Sequence, residues 1–398
     1  MSGPDLARWG IAAPAQNAPT SGIVEVFNYG RNKAGLIPLW VGEGDAPTPP
    51  FIAEAAAKSY ADGETFYTYQ RGIPPLREAI AAYMSGVYGR SFSPEQFFVT
   101  IGGMHALQIA MRIVANPGDE VIVPTPAWPN FIGAITVNGA LPREVEMRLG
   151  TTGFALDFPA LEAAIGPRTR AIMINTPANP TGWTATRADQ ERLLELARRH
   201  RLWIIADEIY GRFYYDGPRA PSFHDIMEAD DRILFVQTFS KNWAMTGWRL
   251  GWLEAPPALG QIIENLIQFS TSGVPVPHQR AGIAAIEQGE GLITAQIAQA
   301  RSNRETLLGA LKGHNGLILP YPSGAFYLFF GIAGMADSMK AAVRLIDEAN
   351  VGLAPGVAFG AGGEGFMRLC YLRKAGDIAE AARRLAAGLD RLQDMRNA

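Results

Sequence analysis

Two cations eight positions apart, Lys241 and Arg249, punctuate a stretch of aromatics, small residues and hydroxyls, TFSKNWAMTGWRLGW (238–252). An amine in apolar surroundings near other cations gives up its proton more readily and becomes a nucleophile for carbonyls. Thr238 and Ser240 bring hydroxyls and Arg249 a planar fork, a set suited to phosphate. Upstream, Asp207 in IIADEIY (204–210) could face a protonated ring nitrogen, or simply cap the next helix. Tyr210 follows three residues later, on the same side of a turn. In NTPANPTG (175–182) the prolines and glycine read either as an ordinary structured turn or as one that aims the Asn179 amide at a cleft. TIGGMHALQ (100–108) reads as strand, Gly-Gly, helix, so the N–H groups of Gly103 and Met104 open a helix that can hold an anion. GAGGEG (360–365) spells a dinucleotide pattern, but it precedes a strand instead of opening a helix and reads as a turn.

These residues need elements to hold them. From about residue 97, short apolar runs alternate with helical patterns. Strands are expected at 97–101, 120–124, 171–175, 202–207, 233–238 and 249–254, with helices at 104–115, 157–165 and 186–200 between the earlier ones. Strands apolar throughout and separated by helices imply an α/β fold with a mostly parallel sheet covered on both faces. In such sheets ligands bind beyond the carboxyl ends of the strands. The polar residues of interest fall at those ends. A helix near 277–310 is expected to lead into a smaller α/β domain with strands at 325–330 and 366–372 and helices at 337–349 and 376–394. The expected division is an N-terminal arm and part of the small domain at 1–45, a large domain at 46–300, and a small C-terminal domain at 301–398.

The 398 residues, 48% hydrophobic and 18% charged, suit a globular enzyme of two domains. A net charge of −3 with mixed signs argues against nucleic-acid binding. The longest apolar run, 326–336, contains two glycines and falls short of a membrane span. One cysteine, Cys370, excludes an internal disulfide framework and a cysteine-rich zinc site and fits a reducing cytoplasm. The N-terminus has no secretory signal pattern.

Taken in order, NPTG, DEIY, SKNWAMTGWRLGW and FMRL resemble the class I/II aminotransferases, fold type I pyridoxal-phosphate enzymes of the aspartate aminotransferase superfamily. The resemblance runs from LWVGEGDAPTP (39–49) almost to the end of the chain. It implies that Lys241 forms the imine with the cofactor, that Asp207 pairs with the pyridine nitrogen, and that Tyr210 and Asn179 bond the phenolic oxygen. It also implies that Gly103, Met104, Thr238, Ser240 and Arg249 hold the phosphate and that Trp128 stacks on the ring. Arg368 and Gly42 match residues that receive the substrate α-carboxylate. Tyr67 matches a tyrosine that reaches the phosphate of a neighbouring subunit, which implies a homodimer with shared sites.

The implied reaction moves an amino group between an L-amino acid and a 2-oxo acid in ping-pong fashion. Gln268 stands in the stretch where aspartate-specific members carry a second arginine. With Phe27, Tyr69 and Trp128 as candidate lining, this implies an apolar or aromatic donor. A lyase on the same fold, acting by β-elimination or on a carbon–sulfur bond, would share every cofactor residue. A cofactor-sensing transcriptional regulator would need a DNA-binding extension before residue 39, and a nicotinamide oxidoreductase would rest on GAGGEG alone. Trp183, His105 and His278 have no assigned chemistry.

Overall fold

The computed structural model describes residues 9–151 and 153–397, so the first eight residues of the expected arm lie outside the described residues. The early elements are helices α1 (Gly22–Gly30), α2 (Pro50–Ala61) and α3 (Pro74–Tyr88). They are followed by β1 (Phe97–Thr100), α4 (Gly102–Val114), β2 (Glu120–Thr125), α5 (Pro129–Val137), β3 (Leu141–Glu146) and β4 (Thr169–Asn175). Next come α6 (Arg187–His200), β5 (Trp203–Asp207), β6 (Ile233–Thr238) and β7 (Gly251–Glu254).

The strands form one seven-stranded sheet in the order β1-β7-β6-β5-β4-β2-β3. Six run in one direction, and β7 is antiparallel to both its neighbours. Every residue of β1, β6 and β7 is buried, so neither face of these strands meets water. Removing each large aliphatic side chain from water stabilises the fold by about 1.5–3 kcal/mol. The sheet therefore needs helices on both sides.

Local sequence sets the helix limits. Thr186 caps α6: its hydroxyl accepts the Asp189 N–H while the Asp189 carboxylate accepts the Thr186 N–H. Arg198, Arg199 and His200 sit in the last turn, where the helix dipole favours cations. Leu193, Leu196 and Ala197 of α6 pack on Ile172, Ile204 and Phe235 of the sheet. The opposite face is covered by α4, whose Ala106, Ile109 and Ala110 meet Val121, Leu234 and Val236.

Beyond β7 come α7 (Gly260–Gln268), α8 (Val276–Gln288) and α9 (Glu290–Leu311). The single helix expected over 277–310 is two helices, interrupted at Gly289 with φ −92° and ψ 5°. Packing requires glycine at this break: a side chain on Gly289 would strike the Trp243 ring and the Ala285 carbonyl. The strand expected from residue 249 begins at Gly251, because Arg249 takes left-handed φ 52°.

A second, four-stranded antiparallel sheet contains β8 (Leu317–Ile318), β9 (Tyr327–Ile332), β10 (Ala354–Pro355) and β11 (Phe366–Cys370), in the order β8-β9-β11-β10. Helices α10 (Ser338–Ala349) and α11 (Ala375–Asn397) complete the chain. Helix α1 packs with this unit through Val26, beside Leu345 and Ile346. GAGGEG forms short turns before β11 and opens no long helix. Among the described residues no helix is long and apolar enough to cross a membrane, and no cluster of side chains could hold a metal ion.

Candidate active site

Three adjacent parallel strands end on polar residues. Asn175, Asp207 and Thr238 close β4, β5 and β6, with Asn175 in register with Asp207. Beyond these ends lies a cavity of about 540 Å3. It gathers Gly42, Gly103, Met104, Trp128, Asn179, Asp207, Tyr210, Thr238, Ser240, Lys241, Arg249 and Arg368, thus all but one of the residues matched to the cofactor or the substrate α-carboxylate. The exception is Tyr67, which is 95% exposed and lies on a different surface, beside Thr271 and Val274.

Lys241 follows β6 in a one-turn helix capped by Thr238, whose hydroxyl accepts the Ser240 N–H at 3.1 Å. The Lys241 Nζ donates to the Gly42 carbonyl at 2.7 Å. Burial lowers its pKa from 10.5 to about 8. The Gly42 carbonyl also accepts the Tyr327 hydroxyl at 3.2 Å, and a side chain on Gly42 would sit 2.5 Å from that hydroxyl. This position therefore requires glycine.

Two opposite charges are buried without ionic partners among the described residues. Asp207 is 2% exposed and accepts one hydrogen bond, from the Ile209 N–H at 3.3 Å. Burial raises its pKa from 3.8 to about 7, against the pull of that N–H and of Lys241. Arg368, also 2% exposed, donates to Asn179 Oδ1 at 3.1 Å and to the Trp40 carbonyl, while its Nε has no partner. Its guanidinium lies over the rings of Tyr327 and Phe359, at 4.9 and 5.1 Å. Burial lowers its pKa, so an incoming anion would relieve a strained cation.

Asn179 is held from behind by Asn175, whose Oδ1 accepts the Asn179 N–H at 2.7 Å and whose Nδ2 reaches the Asp207 carbonyl at 3.0 Å. The first-turn N–H groups of Gly103 and Met104 have no acceptor within α4. Gly102, with φ +71°, is the glycine that sterics demand here: a Cβ would lie 2.5 Å from Arg249 Nη2. A Cβ on Gly103 would make only ordinary contact, 3.6 Å from Val236.

Several lining residues escaped the sequence reading. The Tyr210 hydroxyl lies 2.7 Å from that of Tyr327, inside the all-buried strand β9. Nothing in AFYLFF marks this tyrosine apart from its neighbours. Glu43 lines the cavity and accepts the Thr246 hydroxyl at 2.8 Å. Ile23 and Val24 of α1 close one side with Phe27. Trp128 lines the cavity as expected, whereas Tyr69 and Gln268 do not; Gln268 pairs with Gln70 at 2.7 Å.

The unassigned residues have structural settings. His105 Nδ1 accepts the Ile101 N–H at 3.3 Å, bracing the start of α4, and burial lowers its pKa to about 4. His278 packs edge-on to Trp248. Trp183 closes the 178–183 turn, its carbonyl accepting the Ala178 N–H.

A parallel sheet with a lysine, an aspartate and an arginine converging beyond its strand ends is the architecture of fold type I enzymes. Residues 34–385 match the family model described as aminotransferase class I and II, and the chain belongs to that family. It is 34% identical to an aspartate aminotransferase of Thermotoga maritima, covering 91% of this chain and 92% of the relative. It is 32% identical to aromatic-amino-acid aminotransferase 2 of Thermococcus litoralis, covering 94% and 95%. A solved single mutant of Thermus thermophilus aspartate aminotransferase superposes with a TM-score of 0.88 at 32% identity, covering 95% and 99%. The chain is accordingly a pyridoxal-phosphate-dependent aminotransferase.

The cavity fits that cofactor. Asp207 lacks a cation and the protonated pyridine nitrogen is one; the Gly102 cradle beside Arg249 and the start of α4 suits a phosphate; Lys241 is held near neutrality.

Proposed function

We propose that this aminotransferase takes apolar or aromatic L-amino acids as donors, working in two half-reactions that share one cavity. The observation that carries the donor class is the charge inventory. Among the described residues lining the cavity the cations are Lys241, Arg249 and Arg368, and each already has a task. A second carboxylate on the substrate would meet Glu43 and the apolar surface of Ile23, Val24 and Phe27. Burying an unpaired charge there costs several kcal/mol.

When bound, pyridoxal phosphate supplies an aldehyde that carries the amino group and a ring that takes up electrons from the substrate Cα. Asp207 holds the ring nitrogen protonated by offering a carboxylate in a dry setting. Tyr210 and Asn179 would hydrogen-bond the phenolic oxygen, and Trp128 would pack against the ring. Gly103, Met104, Thr238, Ser240 and Arg249 fix the phosphate end. Arg368 binds the substrate α-carboxylate in a fork, with the backbone of Gly42 alongside, and so directs the Cα toward Lys241. The Lys241 amine, with a pKa of about 8, would take the proton from the substrate Cα as general base and hold it on Nζ, ready to act as the acid. Tyr67 reaches the phosphate of a second subunit, so two chains complete two sites.

The test is a half-reaction screen. Purified holoenzyme is mixed with one amino acid at a time and no oxo acid, and the change in cofactor absorbance is followed. Leucine, phenylalanine or tyrosine should convert the cofactor faster than aspartate and release one equivalent of the matching 2-oxo acid. Faster conversion by aspartate would overturn the donor class; release of ammonia with a shortened carbon skeleton would point to the lyase chemistry, which the relatives do not favour.

A further inference from the structure

Behind the strand end that carries Asp207 lies a second set of ionisable groups that no step above uses. Glu208 follows Asp207 directly, and successive side chains at a strand end point to opposite faces. Glu208 turns away from the cavity into a sealed pocket with Ser222, His224 and Glu254, none more than 4% exposed. The Ser222 hydroxyl donates to Glu208 Oε2 at 2.5 Å, and the Phe223 N–H donates to Oε1 at 3.2 Å. Ser222 Oγ lies 2.8 Å from His224 Nδ1, and His224 Nε2 lies 3.1 and 3.0 Å from the two Glu254 oxygens.

Proton counting limits what this chain of contacts can be. A hydroxyl has one hydrogen, and here it is aimed at Glu208. With Glu208 ionised, Nδ1 donates to Ser222, whose oxygen also accepts the His224 backbone N–H at 3.1 Å. Nε2 faces both oxygens of a carboxylate and must donate as well. A ring donating from both nitrogens is an imidazolium. Its surroundings suit a cation: the ring stacks on Phe235 at 3.8 Å and 13°, and Tyr88 lies 4.4 Å away. The charged groups around the set, Arg219 paired with Asp225 and Arg90 on the His224 carbonyl, are engaged elsewhere.

We propose that His224 is a positioning residue: as a buried imidazolium between Glu208 and Glu254 it neutralises the carboxylate next to Asp207 and pins the turn that carries Asp207 and Tyr210. The inference rests on Asp207 being the partner of the pyridine nitrogen. Burial raises the pKa of both carboxyls; Glu208 adds to the rise at Asp207, and the charge of His224 opposes the rise at Glu208. Without the imidazolium, Glu208 and Glu254 would remain buried with no cation between them, and Glu208 is the neighbour of Asp207.

The direct experiment uses ¹⁵N-histidine-labelled, cofactor-free chain. There are five histidines, and His224 is assigned by the signal lost in His224→Gln, or by elimination using single substitutions of the other four if that variant does not fold. Both ring nitrogens of His224 should appear protonated at pH 7; a neutral ring overturns the proposal. This readout needs no cofactor, so it stands apart from the role assigned to Asp207, which Asp207→Asn tests through cofactor affinity.

The second experiment measures pyridoxal-phosphate dissociation at pH 7 by fluorescence. A tenfold rise in the proton affinity of Asp207 cuts its ionised fraction at pH 7 from about half to about a tenth. His224→Gln should therefore weaken cofactor binding about fivefold by this effect. Glu208→Gln combined with His224→Gln should recover most of that loss, because the uncompensated carboxylate is gone. A double variant no better than the single would mean that His224 serves packing alone.

Discussion

Arg368 and Asp207 are the two buried charges that the chain leaves open. If Arg368 receives the α-carboxylate, Arg368→Ala removes a fork of charge-assisted hydrogen bonds worth about 1.5–3 kcal/mol, or roughly 10- to 150-fold. The half-reaction constant kcat/KM should fall by that factor for every amino acid alike, whatever its side chain; a loss confined to some side chains would place the carboxylate elsewhere. Asp207 predicts a stability effect of definite sign. Its folded pKa, about 7, lies above the ordinary 3.8. The folded chain thus holds a proton that the unfolded chain has released, and stability falls as pH rises from about 4 to 7 and stays lowered above that. Asp207→Asn should make the cofactor-free chain more stable at pH 8, by on the order of 4 kcal/mol at most, with the gap closing toward pH 4. Thermal melts across that range test it. Asp207 was legible because an acid that closes an apolar strand is conspicuous and DEIY carried the family resemblance. Tyr327 was not, because a tyrosine in an apolar aromatic run looks like core until its hydroxyl is seen 2.7 Å from that of Tyr210.

At the scale of elements, the start of α4 is set by one glycine. Gly102 has φ +71°, and a methyl group there would press on Arg249. Gly102→Ala should therefore cost about 1–2 kcal/mol in backbone strain and also shift the Arg249 fork. Pyridoxal-phosphate affinity, measured by equilibrium dialysis, should drop about tenfold or more, whereas Gly103→Ala should change it less. Equal effects would mean that the turn, and not the arginine, is what matters. The periodicity of apolar residues made the strands and most helices readable, since burial on both faces leaves continuous apolar runs. It could not show that α8 and α9 are separate. The residue at the break is glycine because Trp243, distant in sequence, leaves no room for a side chain, and a helical pattern carries no record of such a neighbour. The same limit hid α1 as a wall of the cavity: Ile23 and Val24 are unremarkable until the fold brings them to the cavity that Trp128 also lines.

At the scale of the whole molecule, one chain gathers every proposed site residue but Tyr67. That residue is 95% exposed, with Phe66 and Phe269 at 84% and 87% on the same chain. Large aromatics this exposed suit a surface that another copy covers. On the dimer reading, each site takes Lys241 from one chain and Tyr67 from the other. Complementation then has a definite arithmetic. In a dimer of one Lys241→Ala chain and one Tyr67→Ala chain, one site carries both lesions and the other carries neither. Unfolding and refolding an equal mixture makes half of the dimers mixed, so about a quarter of all sites are intact in a twofold assembly. Aminotransferase activity should thus rise above the mean of the two parent variants by up to about a quarter of the wild-type value. If Tyr67 served its own chain or no site at all, mixing would give that mean and nothing more, because no chain would then supply what its partner lacks.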